Sequence, residues 1–438
     1  MDTELLIRSE WILPMDGIHR LMPQHGLAID KGRISALVPA AEYEQINAQT
    51  SMTLTDHVLM PGLVNTHTHA AMSLMRGLAD DLPLMTWLQE HIWPAEQQQV
   101  NHTFVQDGTQ LAIAEMLQSG TTCFNDMYFF PEAAAQAVSS SGIRASMGLI
   151  VVEFPSPWAQ TTDEYFRKGL ELRDQLRDNP LMQCCFAPHA PYTVDDTSLK
   201  RVRTLSDELD LPVHMHVHET AHEVQESMDQ YGLRPLQRLQ SLQLASPSLL
   251  AVHMTQVSDG DLELLSNSGV HVVHCPESNL KLASGFCPVE RLQQAGVNMA
   301  LGTDGAASNN DLDMFSEMRT AALLAKGISQ KADALPALSA LEMATINGAH
   351  ALGMGDNIGS LEVGKSADLI AVDLGQLQSQ PVYDPVSQLV YACGREQVRE
   401  LWVAGKHLLS NGKLLHLNQS ELLSNAREWQ QKLQVHHH

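Results

Sequence analysis

His67 and His69 stand one residue apart in Pro61-Gly-Leu-Val-Asn-Thr-His-Thr-His. Strand side chains repeat every two residues, so in a strand both imidazoles project from one face. Imidazole is the commonest protein ligand for a divalent transition metal. Other apolar runs end in residues of similar competence: His189 after Met182-Gln-Cys-Cys-Phe-Ala-Pro, His216 with Glu219, His253 after Leu249-Leu-Ala-Val, His274 after Val272-Val, and Asp304 after Val297-Asn-Met-Ala-Leu-Gly-Thr. A single histidine in such a place caps a strand or fills a core. A series of strand ends carrying one, with an aspartate ending the last, points to a shared site. The chemistry would be attack by a metal-activated water, with a carboxylate to take its proton.

The strand around residue 216 leaves a choice. His214, His216 and His218 alternate with Val213, Met215 and Val217, so all three histidines share a face. At about 3.3 Å per residue the outer two lie roughly 13 Å apart, too far to hold one ion together. The strand end favours His216 or His218, and position alone does not decide between them. Asp304 has Gly302 and Gly305 close by, which let backbones approach closely.

These side chains need a scaffold that gathers strand ends. The chain has 438 residues, 44% of them hydrophobic, enough for a large barrel with an accessory domain. The formal charge of −24 argues against nucleic acid or an anionic membrane as partner. No signal peptide or membrane-spanning run is read, and the six cysteines show no Cys-x-x-Cys spacing. Reduced core cysteines and a cytoplasmic protein are expected. His436 to His438 read as the remnant of an affinity tag.

Residues 1–57 read as short strands separated by Met-Asp-Gly and Asp-Lys-Gly turns. From 58 to 354, apolar strands alternate with amphipathic helices, the pattern of an α/β fold of the (β/α)8 TIM barrel type. Residues 355–416 return to strands, so both chain ends are expected to build one small β-sandwich domain. Residues 417–438 hold a closing charged helix, about 419 to 433, and the tag remnant.

With these motifs in this order, the chain resembles the amidohydrolase superfamily over about residues 5 to 410. The carriers are Pro61-Gly-Leu-Val-Asn-Thr-His-Thr-His, His216-Val-His-Glu219, Ala251-Val-His253, Leu301-Gly-Thr-Asp304 and Gly359-Ser-Leu-Glu-Val-Gly-Lys-Ser-Ala-Asp-Leu. Met72-Ser-Leu-Met-Arg-Gly through Ile92-Trp-Pro-Ala-Glu96 resembles the branch of 5'-methylthioadenosine/S-adenosylhomocysteine deaminases and triazine hydrolases. The resemblance implies one divalent metal on His67, His69, His216 and Asp304. Zinc is the first candidate, and iron or manganese also suit. It makes Glu219 the proton carrier, Asp304 the base as well as a ligand, and His253 a hydrogen-bond partner of the nucleophilic water. Glu96 would accept ribose hydroxyls and His189 would contact the nucleoside. Trp87 either lines the pocket or belongs to the core. Arg144 either reaches a homocysteine carboxylate or is structural. The implied reaction is hydrolytic deamination of adenine nucleosides, with a free base or triazine (guanine, 8-oxoguanine, a chlorotriazine) as the alternative substrate. A homo-oligomer, dimer or tetramer, is the family habit.

Overall fold

The computed structural model describes residues 1–18 and 20–434, so the terminal run His436 to His438 lies outside the described residues. Four strands open the chain: β1 (Asp2–Ile12), β2 (Met22–Asp30), β3 (Arg33–Pro39) and β4 (Asn47–Pro61). Eight parallel strands then alternate with helices: β5 (Leu63–Thr68), β6 (Thr121–Asp126), β7 (Arg144–Val151), β8 (Met182–Pro188), β9 (Val213–Val217), β10 (Leu249–His253), β11 (His271–His274) and β12 (Met299–Leu301). They pair in sequence order. β12 returns to β5, where Asp304 N–H donates to His67 O at 3.0 Å and Thr66 Oγ1 donates to Leu301 O at 2.7 Å. The closed (β/α)8 barrel places every strand's carboxyl end on one face. Closure needs Gly302, because a Cβ there would lie 2.7 Å from His67 Cβ.

The helices start where the sequence supplies caps. Asn101, Thr161, Asp195, Thr220 and Ser258 each accept a hydrogen bond from a backbone N–H in the first turn of the helix that follows. Their apolar faces join the barrel exterior in the main core, with Phe104, Phe166, Leu199 and Leu236 fully or almost fully buried.

The ends of the chain build the second sheet. β13 (Leu369–Asp373), β14 (Val398–Val403), β15 (Lys406–Ser410) and β16 (Lys413–Leu414) complete a mixed sheet in the order β16-β15-β14-β13-β4-β1-β2-β3. β4 joins the two ends, parallel to β1 and antiparallel to β13. Its own small core includes Ile7, Leu27, Ile34, Leu59, Leu369 and Trp402. The strand expected from Gly359 begins only at Leu369, and a helix at Pro385–Tyr391 interrupts the strands beyond. The closing helix spans Gln419–Gln434. No helix among the described residues is long and apolar enough to cross a membrane.

Of the two readings of Arg144, its surroundings favour the structural one. It is the first residue of β7, at the end of the barrel away from the strand-end histidines. Its Nε donates to Asp368 Oδ2 at 2.7 Å and its Nη2 to Asp368 Oδ1 at 3.1 Å. Further bonds go to Ser366 Oγ and Pro180 O. With side chains only 4% and 2% exposed, the pair clamps the barrel floor to the residues that lead into β13. Arg144 lines neither the cavity at the strand-end histidines nor the one beside it. Removing one partner strands the other charge in the interior, at a cost of about 3–5 kcal/mol. Arg144→Met is therefore expected to lower Tm by several degrees while leaving kcat/KM of the folded protein unchanged. A specific loss of affinity for substrates with a carboxylate tail would contradict this assignment.

Candidate active site

β5 carries His67 to the barrel mouth and ends at Thr68, so His69 sits where the chain turns. The turn keeps both imidazoles aimed at one point. His67 Nε2 lies 3.2 Å and His69 Nε2 3.3 Å from Asp304 Oδ1, and His216 Nε2 lies 3.2 Å from His67 Nε2. His69 Nδ1 is 2.6 Å from Met127 O, and His216 Nδ1 is 2.8 Å from His189 O. A carbonyl can only accept, so each Nδ1 holds the proton and each Nε2 presents a lone pair. His69 Nε2 faces the Asp304 carboxylate, and both would serve as ligands to a divalent cation placed between them. Donor separations near 3.3 Å are also what ligand bonds of about 2.0–2.1 Å give in a tetrahedron. The metal-competent donors form two triads that share His67, one with His69 and Asp304 and one with His216 and His253, and a single divalent metal fits where they meet.

Protonation agrees with cation binding. Burial lowers the His67 imidazole to about 4 and holds His216 well below its ordinary value. Burial would raise the Asp304 carboxyl, but the His67 imidazole against it, with His69 and His253 nearby, holds it well below the usual range. Ser278 Oγ donates to Asp304 Oδ2 at 2.6 Å and Gly305 N–H to Oδ1 at 2.8 Å.

Of the three alternating histidines at β9 and its end, the structure brings His216 to the cluster. His218 leaves it: its φ is +54°, and its Nε2 accepts from Leu236 N–H at 3.1 Å. His214, absent from the expected set, lies one strand repeat below, fully buried, with Nε2 2.9 Å from His67 Nδ1. It can accept the Nδ1 proton of His67 and so fix the ring, as partners of metal-binding histidines do. The period-two pattern did put it on the correct face.

Glu219 follows where the chain turns after β9. Its backbone N–H and that of His218 donate to the Glu223 carboxylate at 2.7 and 3.0 Å, which fixes the turn. Its own carboxyl lies 3.9 Å from His253 Nε2. Burial, with the Asp304 charge adding, pushes the Glu219 carboxyl up to about 8. His253 ends β10 at φ +76°, with Nδ1 2.9 Å from Asn279 Oδ1. Asn279 accepts there, so His253 Nε2 is left as the acceptor. His274 stays in the barrel wall, 1% exposed, with neither ring nitrogen hydrogen-bonded among the described residues. The short helix after it, Pro276–Lys281, supplies Ser278 and Asn279 instead.

Glu96 comes from a helical segment that widens to a π-turn over Trp87–Ile92, where Trp93 N–H bonds Leu88 O. Pro94 lies within this segment and has no N–H to donate, which fits an irregular turn here. Tyr128 Oη donates to Glu96 Oε1 at 2.8 Å. Burial pushes the Glu96 carboxyl up to about 7, against that hydrogen bond. Trp87 is both wall and core: it lines the cavity at the cluster and is 5% exposed. His189 lines the same cavity, its ring centroid 4.8 Å from that of His216.

Comparison with known proteins adds to this geometry. Residues 58–408 match the model of the amidohydrolase family. A 5-methylthioadenosine/S-adenosylhomocysteine deaminase of Teredinibacter turnerae is 52% identical over 426 residues, 97% of this chain and 96% of that one. The solved structure of an adenosine deaminase from Xanthomonas campestris with bound zinc superposes with a TM-score of 0.98 at 52% identity, over 99% of each chain. The atrazine chlorohydrolase of Arthrobacter aurescens, in complex with zinc, shares the fold with a TM-score of 0.90 at 20% identity, over 97% of this chain and 99% of that one.

Proposed function

Because this chain belongs to the amidohydrolase family, we propose that it is a metal-dependent hydrolase converting the 6-amino group of adenine nucleosides to the inosine-type product plus ammonia. The substrates would be 5'-methylthioadenosine, S-adenosylhomocysteine and adenosine. The observation that carries this reading is one cavity lined by a metal-competent cluster, the proton-bearing Glu219 and, on another wall, Glu96. Relatives at 52% identity that bear deaminase names support it.

His67, His69, His216 and Asp304 would hold the metal, with zinc favoured because the Xanthomonas relative binds it. When bound, the ion supplies Lewis acidity that makes water acidic near neutral pH. The chain's own residues move the protons. Asp304 takes one from the water that attacks C6, while His253 Nε2 accepts a hydrogen bond from that water and orients it. Glu219 gives its proton to ring N1, which draws charge off the ring as C6 becomes tetrahedral. The new hydroxyl returns a proton to Glu219, Asp304 passes its proton to the amine, and ammonia leaves. Glu96 accepts from the ribose hydroxyls, with Tyr128 holding its carboxylate in place. His189 packs against the nucleoside. All six cysteines are free and buried, which supports a reducing, cytoplasmic setting. A dimer or tetramer remains part of the proposal.

The deciding experiment follows ultraviolet absorbance with 5'-methylthioadenosine, S-adenosylhomocysteine, adenosine and guanine in parallel. Loss with adenine nucleosides and none with guanine is expected; the reverse would move the substrate to a free base. Hydrogen bonds to a charged group contribute about 1.5–3 kcal/mol each. Glu96→Gln should therefore lower kcat/KM for adenosine by about tenfold to a hundredfold, and an unchanged value would reject the sugar-binding role.

A further inference from the structure

The cavity at the cluster opens into a second one of about 690 Å³. Trp93, Glu96, Phe129, Phe154 and Tyr192 line both. On the proposed reading, on which this inference rests, the base points to the cluster and Glu96 holds the sugar at the junction. The substituent on the 5' carbon then continues into the outer cavity.

That cavity is chemically one-sided. Besides Glu96 at the junction, three carboxylates line it, from Glu153, Asp195 and Glu226, and no lysine, arginine or histidine does. Asp195 Oδ1 accepts from Ser198 N–H at 2.8 Å and Glu153 Oε2 from Thr162 Oγ1 at 2.7 Å. Both donors are neutral, so neither hydrogen bond supplies a counter-ion to these acids. Arg238 approaches behind Tyr231 but is spent: its guanidinium lies 4.0 Å from that ring's centroid, and it donates to Asp196 at 2.8 Å and to Val194 O at 3.1 Å. The remaining wall is apolar, with Phe154 and Tyr231 left 40% and 37% exposed. At the junction, burial raises the Tyr192 phenol well above its ordinary value, and nearby acids, Glu226 of this cavity among them, raise it further.

We propose that this outer cavity determines specificity for the 5'-substituent, accepting neutral apolar or cationic tails on adenine nucleosides and rejecting anionic ones. An anionic tail meets three like charges with no counter-ion. An apolar tail covers exposed rings, and a cationic tail meets both the rings and the acids.

The test compares 5'-(propylthio)-, 5'-(3-aminopropylthio)- and 5'-(2-carboxyethylthio)adenosine, with adenosine alongside, as kcat/KM of the metal-loaded enzyme. At low salt the carboxyethyl compound should be about tenfold or more worse than the other two. The gap should shrink in high salt, because the acids are exposed to screening. Glu153→Gln combined with Glu226→Gln should also narrow it. A carboxyethyl compound as good as the propyl one at low salt would overturn the proposal and leave the deaminase reading standing. No turnover of any of the four compounds would overturn both.

Discussion

Glu219→Gln is expected to lower kcat for adenine nucleoside deamination by about 100- to 10,000-fold, the usual contribution of a positioned proton donor. Glutamine keeps the shape of the side chain but has no proton to give at N1. The change should leave the fold alone, because Glu223 grips the turn through the backbone N–H groups of His218 and Glu219, not through the Glu219 side chain. Thr255 Oγ1 holds the same turn by donating to Glu219 O at 2.7 Å. Metal content should stay at the wild-type level, since the carboxyl is not one of the four proposed ligands. The pH profile gives a second readout. Burial and the Asp304 charge raise the Glu219 carboxyl to about 8. The protonated form is the active one, so wild-type kcat/KM should hold below that value and fall as pH rises through it. The glutamine variant should lack this basic limb. Near-normal turnover with a full complement of metal would remove Glu219 from the mechanism.

The parts of this site that could be read in the sequence share one property: each is fixed by position along its own strand. An apolar run with a polar end gives the strand and its mouth, so His67, His69, His189, His253 and Asp304 are legible in the chain itself. Caps such as Asn101 and Ser258 are equally local. What escaped depends on register between distant strands. His214 matters because β5 and β9 face each other across the barrel interior at one height, a relation between residues 147 positions apart. Ser278 and Asn279 matter because a short helix after β11 returns over the mouth to Asp304 and His253. Arg144 shows the converse. Its type suited a substrate carboxylate, but its partner is Asp368, 224 positions away, on the approach to β13. The widened turn at Trp87–Ile92 combines both kinds of signal: Pro94 is visible in the chain, but which way the helix continues past it is not.

The choice between His216 and His218 at the end of β9 yields the second large effect. His216→Ala is expected to cost at least about a hundredfold in metal affinity, more than the roughly 10- to 100-fold lost when only a ligand's hydrogen-bonding partner is removed. Purified protein should then carry little metal after dialysis, and turnover should fall with it. His218→Ala changes the adjacent same-face histidine of the run and should leave metal content intact. The two differ because the backbone turns at His218 with φ +54°, which swings its ring out of the β9 face toward the helix Pro235–Ser241. There its Nε2 takes the Leu236 N–H, and its Nδ1 lies 3.9 Å from Asp261. Losing it leaves a buried donor unpaired, a cost of about 1–3 kcal/mol that appears as a lower Tm. Metal analysis and thermal unfolding on the same two preparations thus separate binding from folding. Metal lost with His218→Ala and kept with His216→Ala would mean that the ion sits on the other side of the strand end. Asp304 and His67 would then need a different partner to balance the lone pairs now turned toward one another.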